Sequence, residues 1–283
     1  MNGIIIVDKP KDYTSRDVVN IISHKLGTKK VGHTGTLDPI ATGVLVVCVG
    51  KALKLTELLT NEVKEYIARV RLGIETDTLD ITGNVIHDSK VPSLSDEEII
   101  DVLNKFKGSI VQEVPKYSAI KVRGKKLYEY ARENIEVELP KREVKIFEIE
   151  LLERVNNCEF IFRCVVSKGT YIRSLIRDIG YALNNYATMT DLRRTKQGKF
   201  VIDDSFTINY IESDNYKLLN PSDVVDLPKR HIRGDLLFRV RNGQKLDKFF
   251  DEDMIMLLDD NDELVAIYRQ DRDNDKVRAY KVF

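Results

Sequence analysis

A polar, glycine-rich segment at residues 32–39 carries one carboxylate that can do chemistry; it reads Gly-His-Thr-Gly-Thr-Leu-Asp-Pro. Proline disfavours helical backbone for the residue before it, so Asp38 is predicted to lie extended at the end of a loop. The apolar run at residues 44–49 follows at once and predicts a buried strand. A lone acid on a stiff loop beside a core strand is held rigidly enough to be a catalytic carboxylate. The alternative is a tight turn in which the aspartate only caps the backbone.

Charge is segregated along the chain, although its 45 basic and 45 acidic residues balance. Residues 116–126 contain five basic residues and no acid, and residues 163–199 contain eight basic residues against two acids. By contrast, residues 75–101 carry eight acids and one lysine, and residues 200–283 carry eighteen acids against thirteen basic residues. Basic segments punctuated by tyrosines are typical of nucleic-acid binding. The alternative for such segments is an ordinary solvated surface.

Length and composition restrict the class of protein. The 283 residues allow about two domains of ~100–200 residues each, and 42% hydrophobic residues suffice for a core. No apolar run approaches the length of a membrane span, and the apolar stretch at residues 3–7 is too short for a signal peptide. Three scattered cysteines and four dispersed histidines indicate neither a disulfide framework nor a zinc site. We therefore expect a cytoplasmic protein without a bound metal and without membrane contact.

Hydrophobic periodicity predicts the elements that must position the chemistry. Strands are predicted at residues 4–7, 44–49, 66–72, 160–166 and 188–196, and helices from Thr14 or Ser15 to Gly27, at 51–59, from Ser95 through Phe106 and from Ile172 to Leu183. Strands and helices do not alternate strictly, so we expect an α+β fold with a large, mostly antiparallel sheet and flanking helices. A small β-rich domain, with Gly234 and Gly243 at turns between short strands, is expected at the C-terminus.

Several motifs follow one another in order between residues 8 and 195. The first pairs Asp8-Lys9-Pro10 with Thr14-Ser15, and the second reads GHTGTLDPIATG at residues 32–43. The later motifs lie at residues 64–73, 117–132, 168–175 and 192–195. Together they resemble the TruB family of bacterial tRNA pseudouridine-55 synthases over roughly residues 3–200. Five ordered motifs, with residues 168–175 and 192–195 taken together, are far more specific than one.

The resemblance implies a fold and a domain organisation. It implies the pseudouridine synthase fold for a catalytic domain at residues 1–229, with an RNA-clamp insertion at about residues 108–145. Residues 230–283 would form a small PUA-like RNA-binding domain, for which only Asn242-Gly243-Gln244 matches the family. Two departures stand out: Asn134 occupies a position where the family has glycine, and the C-terminal region is short and acidic.

The resemblance also implies the residues that carry the reaction. Asp38 would be the catalytic carboxylate, and Arg173 would pair with it and keep it ionised. Arg177 lies one helical turn after Arg173 and is its rival for that contact. Lys9 would support the catalytic loop rather than touch the substrate.

The resemblance further implies residues that bind the substrate. Tyr66 would stack on the flipped uracil, and Leu192 would close the apolar wall of the pocket; by pattern alone, both residues are core residues. Tyr171 would brace the pocket, and His33 would insert into the RNA loop and hold the flipped conformation. The segment at residues 116–132 is expected to be a mobile clamp whose basic residues meet phosphates and which orders on binding.

The function implied is isomerisation of uridine to pseudouridine at position 55 in the T loop of tRNA. Every atom of the uridine is retained in this reaction, so no cofactor is expected; the partner would be the T stem-loop of tRNA, without an obligate protein partner. Two alternatives remain: a non-catalytic RNA-binding or tRNA-folding protein that uses the same cleft, and a guide-RNA-dependent pseudouridine synthase. A phosphate-binding nucleotide enzyme is excluded because no Gly-Lys-Ser/Thr follows the loop.

Overall fold

The computed structural model describes residues 1–272 and 275–283, and each of the five predicted strands lies within one of its strands. The strands are β1 (Gly3–Lys9), β2 (Val31–His33), β3 (Thr42–Val49), β4 (Lys64–Leu72), β5 (Ile74–Thr76), β6 (Val85–Asp88), β7 (Gly108–Glu113), β8 (Lys121–Val122), β9 (Lys125–Lys126), β10 (Lys141–Asn156), β11 (Glu159–Val166), β12 (Ala187–Gln197), β13 (Phe200–Val201), β14 (Lys229–His231), β15 (Leu246–Asp247), β16 (Met254–Leu258), β17 (Leu264–Gln270) and β18 (Lys276–Val282).

The helices of the described residues include two whose N-terminal capping residues the sequence predicts. They are α1 (Ser15–Lys25), α2 (Thr56–Thr60), α3 (Asp96–Lys105), α4 (Leu127–Arg132), α5 (Ile172–Ala182), α6 (Ile208–Glu212), α7 (Pro221–Val224) and α8 (Gly234–Arg241). Thr14 caps α1 and Ser95 caps α3, and each forms a reciprocal capping box with the acid three residues later. The helix predicted at residues 51–59 begins as a 3₁₀ helix, Gly50–Leu55, and continues as α2.

One large mixed sheet forms the body of the molecule, with strand order β1-β3-β12-β4-β11-β10-β7. Strand β2 pairs with β3, and β13 pairs with β12. All of these pairings are antiparallel except that of β12 with β3. The predicted large, mostly antiparallel sheet with flanking helices is confirmed.

Strand β3 is buried on both faces, which explains its unbroken apolar sequence. Val44, Val46 and Cys48 belong to one hydrophobic cluster, and the alternate residues Leu45, Val47 and Val49 belong to another that includes α1. A third and larger cluster packs α3 and α5 against strands β4, β10, β11 and β12. The loop before β3 is therefore fixed to the centre of the core at its C-terminal end.

The C-terminal region forms a second sheet of five strands, in the order β14-β16-β17-β18-β15, which confirms the predicted β-rich character. The predicted turn at Gly243 is present, with φ +65° between α8 and β15, whereas the predicted turn at Gly234 is wrong, because Gly234 is the first residue of α8. One face of α8 packs on this sheet. It does so through Leu236, Leu237 and Val240, which belong to the hydrophobic cluster of the sheet. The division of the chain into domains at residue 229 stays a prediction.

The predicted insertion begins and ends inside the large sheet, because β7 and the start of β10 are sheet strands. Between them, strands β8 and β9 pair as a hairpin and lead directly into α4. Asn134 follows α4 with φ +53°, the left-handed backbone that closes many helices, and asparagine tolerates this backbone better than most residues. The amide of Ile135 then donates to the carbonyl of Tyr130 at 3.0 Å. Asparagine therefore forms the turn for which the family uses glycine.

Candidate active site

The loop between β2 and β3 presents Asp38 on an anchored backbone. The hydroxyl of Ser15 accepts from the amide of Leu37 at 2.9 Å, and the carbonyl of Asp38 accepts from the amide of Ala41 at 3.0 Å. Leu37 and Ile40 are both 3% exposed and anchor the loop in the core. The Asp38 side chain remains 32% exposed, so its carboxylate faces a space that a substrate can reach.

Arg173, in the first turn of α5, contacts this carboxylate at two points. Its Nε lies 2.8 Å from Oδ2 of Asp38, and its Nη2 lies 3.1 Å from Oδ1. Arg173 is only 5% exposed and also donates to the carbonyls of Thr78 and Tyr117, at 3.0 and 3.1 Å. A two-point ion pair of this kind fixes the orientation of the carboxylate.

Arg177 does not compete for Asp38. Its guanidinium pairs with Asp178 at 2.8 Å and with Glu113 at 3.3 Å. The two arginines are one turn apart on α5, but only Arg173 contacts Asp38. The geometry therefore agrees with the assignment of Arg173 rather than Arg177 as the partner of Asp38.

A second carboxylate, Asp80, lies beside Arg173 and was missed by the sequence reasoning. Its Oδ2 is 3.9 Å from Nη1 of Arg173, and its side chain is 8% exposed. Its other oxygen accepts from the amide of Thr82 and the hydroxyl of Thr78, both at 3.0 Å. The available signal was an aspartate in a threonine-rich stretch, but it was hidden within the acidic run at residues 75–101.

Tyr66 and Leu192 lie on the neighbouring strands β4 and β12. They are 7% and 5% exposed and belong to the same hydrophobic cluster as Leu37 and Ile40 of the loop. The Tyr66 hydroxyl lies 3.5 Å from Nη1 of Arg194. The structure thus brings the aromatic and apolar candidates together with the loop of Asp38, and stacking on a uracil stays a prediction.

Tyr171 and His33 flank the same region from two sides. The backbone of Tyr171 exchanges two hydrogen bonds with the amide side chain of Gln112, at 2.8 and 3.0 Å, and burial raises the pKa of its phenol. Burial, together with the positive charges of Arg16 and Arg194, lowers the pKa of His33 to about 4. His33 is therefore neutral at physiological pH and has no charge with which to attract phosphate.

Lys9 lies beneath the loop and is completely buried. Its Nζ donates to the carbonyls of Tyr13 at 2.6 Å, Pro10 at 2.9 Å and Pro39 at 3.2 Å. Burial lowers the pKa of Lys9 to about 8. These contacts include the residue that follows Asp38 and agree with the expected support of the loop.

The segment at residues 116–132 reaches the active site through its first tyrosine, since Arg173 donates to the carbonyl of Tyr117. Lys121 and Arg123 are exposed in its hairpin. Lys125 instead pairs with Glu133 and lies 5.0 Å from the centre of the Tyr130 ring. Two of its cations thus extend into solvent beside the cleft, and ordering on binding stays a prediction.

Neither a cluster of metal ligands nor a membrane-spanning helix occurs in residues 1–272 and 275–283. No group of three or more histidine, cysteine, aspartate or glutamate side chains there is arranged to hold a metal ion. No helix in the same residues is long and apolar enough to cross a membrane.

Comparison with known proteins identifies the family. The family model for the N-terminal domain of TruB family pseudouridylate synthases matches residues 23–172, which include Asp38, Tyr66 and Tyr171. The model for the C-terminal domain of tRNA pseudouridylate synthase B matches residues 173–226. The chain belongs to the TruB family.

Curated relatives agree over nearly the whole length of the chain. The tRNA pseudouridine synthase B of Clostridium tetani is 42% identical over 275 residues, covering 96% of this chain and 93% of the relative. That of Mesoplasma florum is 38% identical, covering 96% and 95%. The resemblance to the TruB family is confirmed.

Solved structures confirm the pseudouridine synthase fold. A chain in the structure of an H/ACA RNP bound to a substrate RNA containing 2'-deoxyuridine has a TM-score of 0.71 and 28% identity, covering 99% of this chain and 84% of that one. A chain of a Cbf5-Nop10-Gar1 complex has the same TM-score and coverage, with 29% identity. These neighbours are more distant in sequence than the bacterial relatives.

Proposed function

We propose that this TruB family member converts uridine to pseudouridine at position 55 in the T loop of tRNA. The observation that carries the proposal is the two-point contact of Arg173 with Asp38, on a loop whose sequence is the catalytic motif of the family. A buried arginine holds this carboxylate aimed at the open side of the loop. The named activity of the relatives, tRNA pseudouridine synthase B, supports the same substrate.

The reaction breaks the bond between ribose C1′ and uracil N1, turns the base over and joins C1′ to C5. The proton on C5 leaves and N1 gains one, so atoms and electrons balance without an added reactant. Uracil is a poor leaving group, and a carboxylate at the sugar divides the difficult step into two. We assign this role to Asp38; attack on the sugar, attack on the base and removal of a ribose proton all require the same ionised group.

The remaining residues of the cleft would bind the flipped base. Tyr66 would provide an aromatic face and Leu192 an apolar wall, since both lie in the cluster that includes Leu37 of the loop. Tyr171 would brace the pocket from the start of α5, and neutral His33 would occupy the space that the base leaves in the RNA loop. Extraction of the base costs a few kcal/mol, and stacking recovers about 1–3 kcal/mol.

Two variants of Tyr66 distinguish the role of its aromatic ring from the role of its hydroxyl. Tyr66→Leu removes the aromatic face. Loss of a stacking interaction with the base worth about 1–3 kcal/mol is expected to lower the rate by roughly 5–150-fold. Tyr66→Phe keeps the face and removes the hydroxyl, so its rate reports whether the hydroxyl takes part in proton transfer. Single-turnover rates on tRNA measure both. Full activity of both variants at unchanged stability would make Tyr66 a packing residue only.

The exposed cations of the hairpin are expected to bind phosphate. Replacing Lys121 and Arg123 together by alanine should weaken tRNA binding and flatten the plot of log affinity against log salt by about 0.7–0.9 for each phosphate interaction removed. Binding isotherms at several salt concentrations measure the slope. The matched control replaces Lys105 and Lys107, two exposed lysines near the end of α3, and should leave the slope unchanged. Equal slopes for wild type and the hairpin variant would place the RNA elsewhere.

The proposal includes the expected partner and location. The partner is the T stem-loop of tRNA, which would place the protein in the cytoplasm, without an obligate protein partner or cofactor. The identity of 42% to a bacterial tRNA enzyme, against 28% to a chain of an H/ACA RNP, favours a stand-alone enzyme over a guide-RNA-dependent one. A non-catalytic tRNA-folding protein is the second candidate, and the activity assay decides between them.

A tRNA transcript carrying tritium at C5 of its uridines tests the proposed function. Joining C5 to C1′ expels the C5 hydrogen, so the purified protein should release one tritium per tRNA into water without any guide RNA. A transcript with cytidine at position 55 is the control and should release none. Tight binding without release would support the non-catalytic candidate instead.

A further inference from the structure

Arg194, on β12, is a buried cation that the proposed reaction does not use. It is 1% exposed and is the largest of the fully buried side chains in the described residues. Arginine stays charged in protein interiors, and an isolated buried charge is costly unless specific contacts offset that cost. Its neighbour Arg193 pairs with Asp8 at 2.8 Å, whereas no carboxylate in residues 1–272 and 275–283 forms an ion pair with Arg194.

The contacts of Arg194 lie on both sides of the catalytic loop. Its Nη2 donates to the carbonyl of Gly35 at 3.0 Å, three residues before Asp38. Its Nε donates to the carbonyl of Val44 at 2.7 Å, in the strand that follows the loop. One rigid, planar guanidinium thus joins the entry and the exit of the segment that carries the carboxylate.

The main chain of Arg194 also holds the exit of the loop. β12 meets β3 here in the parallel pairing of Arg194 with Gly43. Gly43 has φ +102°, and a Cβ at this position would lie 2.2 Å from the carbonyl oxygen of Arg194. Only glycine permits this approach, so the backbones of the two strands are locked together at the base of the loop.

The positive charge of Arg194 lowers the pKa values of neighbouring basic side chains. Burial lowers the pKa of Lys64 to about 8, and the charge of Arg194 adds to this effect. The same charge contributes to the lowered pKa values of Lys9 and His33. The charge of Arg194 therefore acts on three titratable side chains around the loop, although burial is the larger cause in each.

We infer that Arg194 is a positioning residue of the reaction, which clasps the two ends of the loop and holds the carboxylate of Asp38 against Arg173. The catalytic part of this inference rests on the proposed function, and the structural part does not. Without the clasp, two buried carbonyls lose their donor and the loop loosens. Misplacement of a reacting group by about 1 Å can cost about 10²-fold in rate.

Three variants test the clasp. Arg194→Met keeps the length and apolar volume of the side chain and removes all donors. Arg194→Lys keeps a positive charge on a single nitrogen, which cannot reproduce the planar fork. Arg193→Met is the control at the preceding residue, since the side chain of Arg193 is 40% exposed and contacts Asp8 and the hydroxyl of Thr42 but neither of the two carbonyls held by Arg194.

Hydrogen exchange of the free protein, measured by mass spectrometry, is the readout that does not depend on activity. Arg194→Met should increase exchange at least about tenfold in the peptide covering residues 34–43, and Arg193→Met, which removes only a contact with the Thr42 hydroxyl there, should increase it by less than about twofold. A merely structural role would instead raise exchange across the whole large sheet. Unchanged exchange in residues 34–43, or an increase spread evenly over the sheet, would overturn the inference.

Single-turnover kinetics on tRNA complete the test. Arg194→Met should lower the rate about 10²-fold while the Kd for tRNA stays within about threefold, and Arg194→Lys should recover less than a tenth of the loss. Full recovery by lysine would show that charge alone matters and would overturn the clasp. A local increase in exchange together with an inactive wild type would refute the proposed function and retain the clasp. An active wild type with both Arg194 variants unimpaired would refute the clasp alone.

Discussion

Asp38→Asn is expected to lower the rate of pseudouridine formation by about 10⁴-fold or more, as the loss of a catalytic nucleophile does. Asparagine keeps the size and polarity of the side chain and removes its charge. The loop backbone is held by Ser15 and by the burial of Leu37 and Ile40, so the fold should not change. Tritium release from C5-labelled tRNA measures the rate.

The binding of tRNA by Asp38→Asn is the internal control for this prediction. Affinity should stay within about threefold of wild type, because the carboxylate carries no positive charge for phosphate. An asparagine variant that retains a tenth of the wild-type rate would show that Asp38 is not the catalytic carboxylate. A variant that loses binding and activity together would point to a damaged loop.

Arg173→Lys is expected to lower the rate by about 10²–10³-fold with tRNA saturating. Lysine keeps the charge, but one ammonium cannot reach both oxygens of Asp38 and the carbonyls of Thr78 and Tyr117. The carboxylate of Asp38 then loses its fixed orientation. The cation at residue 173 also no longer lies close to both Asp38 and Asp80. Single-turnover rates measure the loss.

Arg177→Lys is the matched control on the same helix. Arg177 contacts Glu113 and Asp178 instead of Asp38, so its rate should stay within about threefold of wild type. Equal losses in the two lysine variants would mean that guanidinium contacts of α5 in general, and not the contact with Asp38 in particular, support the reaction. A greater loss in Arg177→Lys would reverse the assignment.

Local sequence signals predicted the elements that carry the site. The polar loop that ends in Asp38-Pro39 lies between β2 and the buried strand β3, as expected from its neighbours in the chain. The capping boxes at Thr14 and Ser95 start the helices at the expected residues. These features depend on contacts within a few residues, which periodicity and capping rules describe.

The partners of the loop could not be predicted from periodicity and spacing. Arg173 and Arg177 carry the same charge one turn apart, and only the fold shows which of them faces Asp38, 135 residues away in the chain. Asp80 and Arg194 reach the site through long-range pairing. Alternation along β12 places Arg194 on the face of Leu192 and Arg193 on the opposite face, but it does not reveal that Arg194 reaches the carbonyls of Gly35 and Val44.

The C-terminal helix shows a different limit of the sequence reasoning. Gly234 and Gly243 predicted two turns, yet only Gly243 lies in a turn, and Gly234 begins α8. The apolar residues between them, Leu236, Leu237 and Val240, fit a helical face that packs on the second sheet. Turn residues mark the ends of an element and do not specify its type.

Mapping pseudouridine along an unmodified tRNA transcript tests the central claim most directly. The transcript is incubated with the wild-type protein or with Asp38→Asn, and each uridine is then examined for isomerisation. We predict conversion at position 55 alone by the wild type, approaching one pseudouridine per tRNA, and no conversion by the variant over the same time. Conversion at a different position, equal conversion by the variant, or tRNA binding without any conversion would contradict the account.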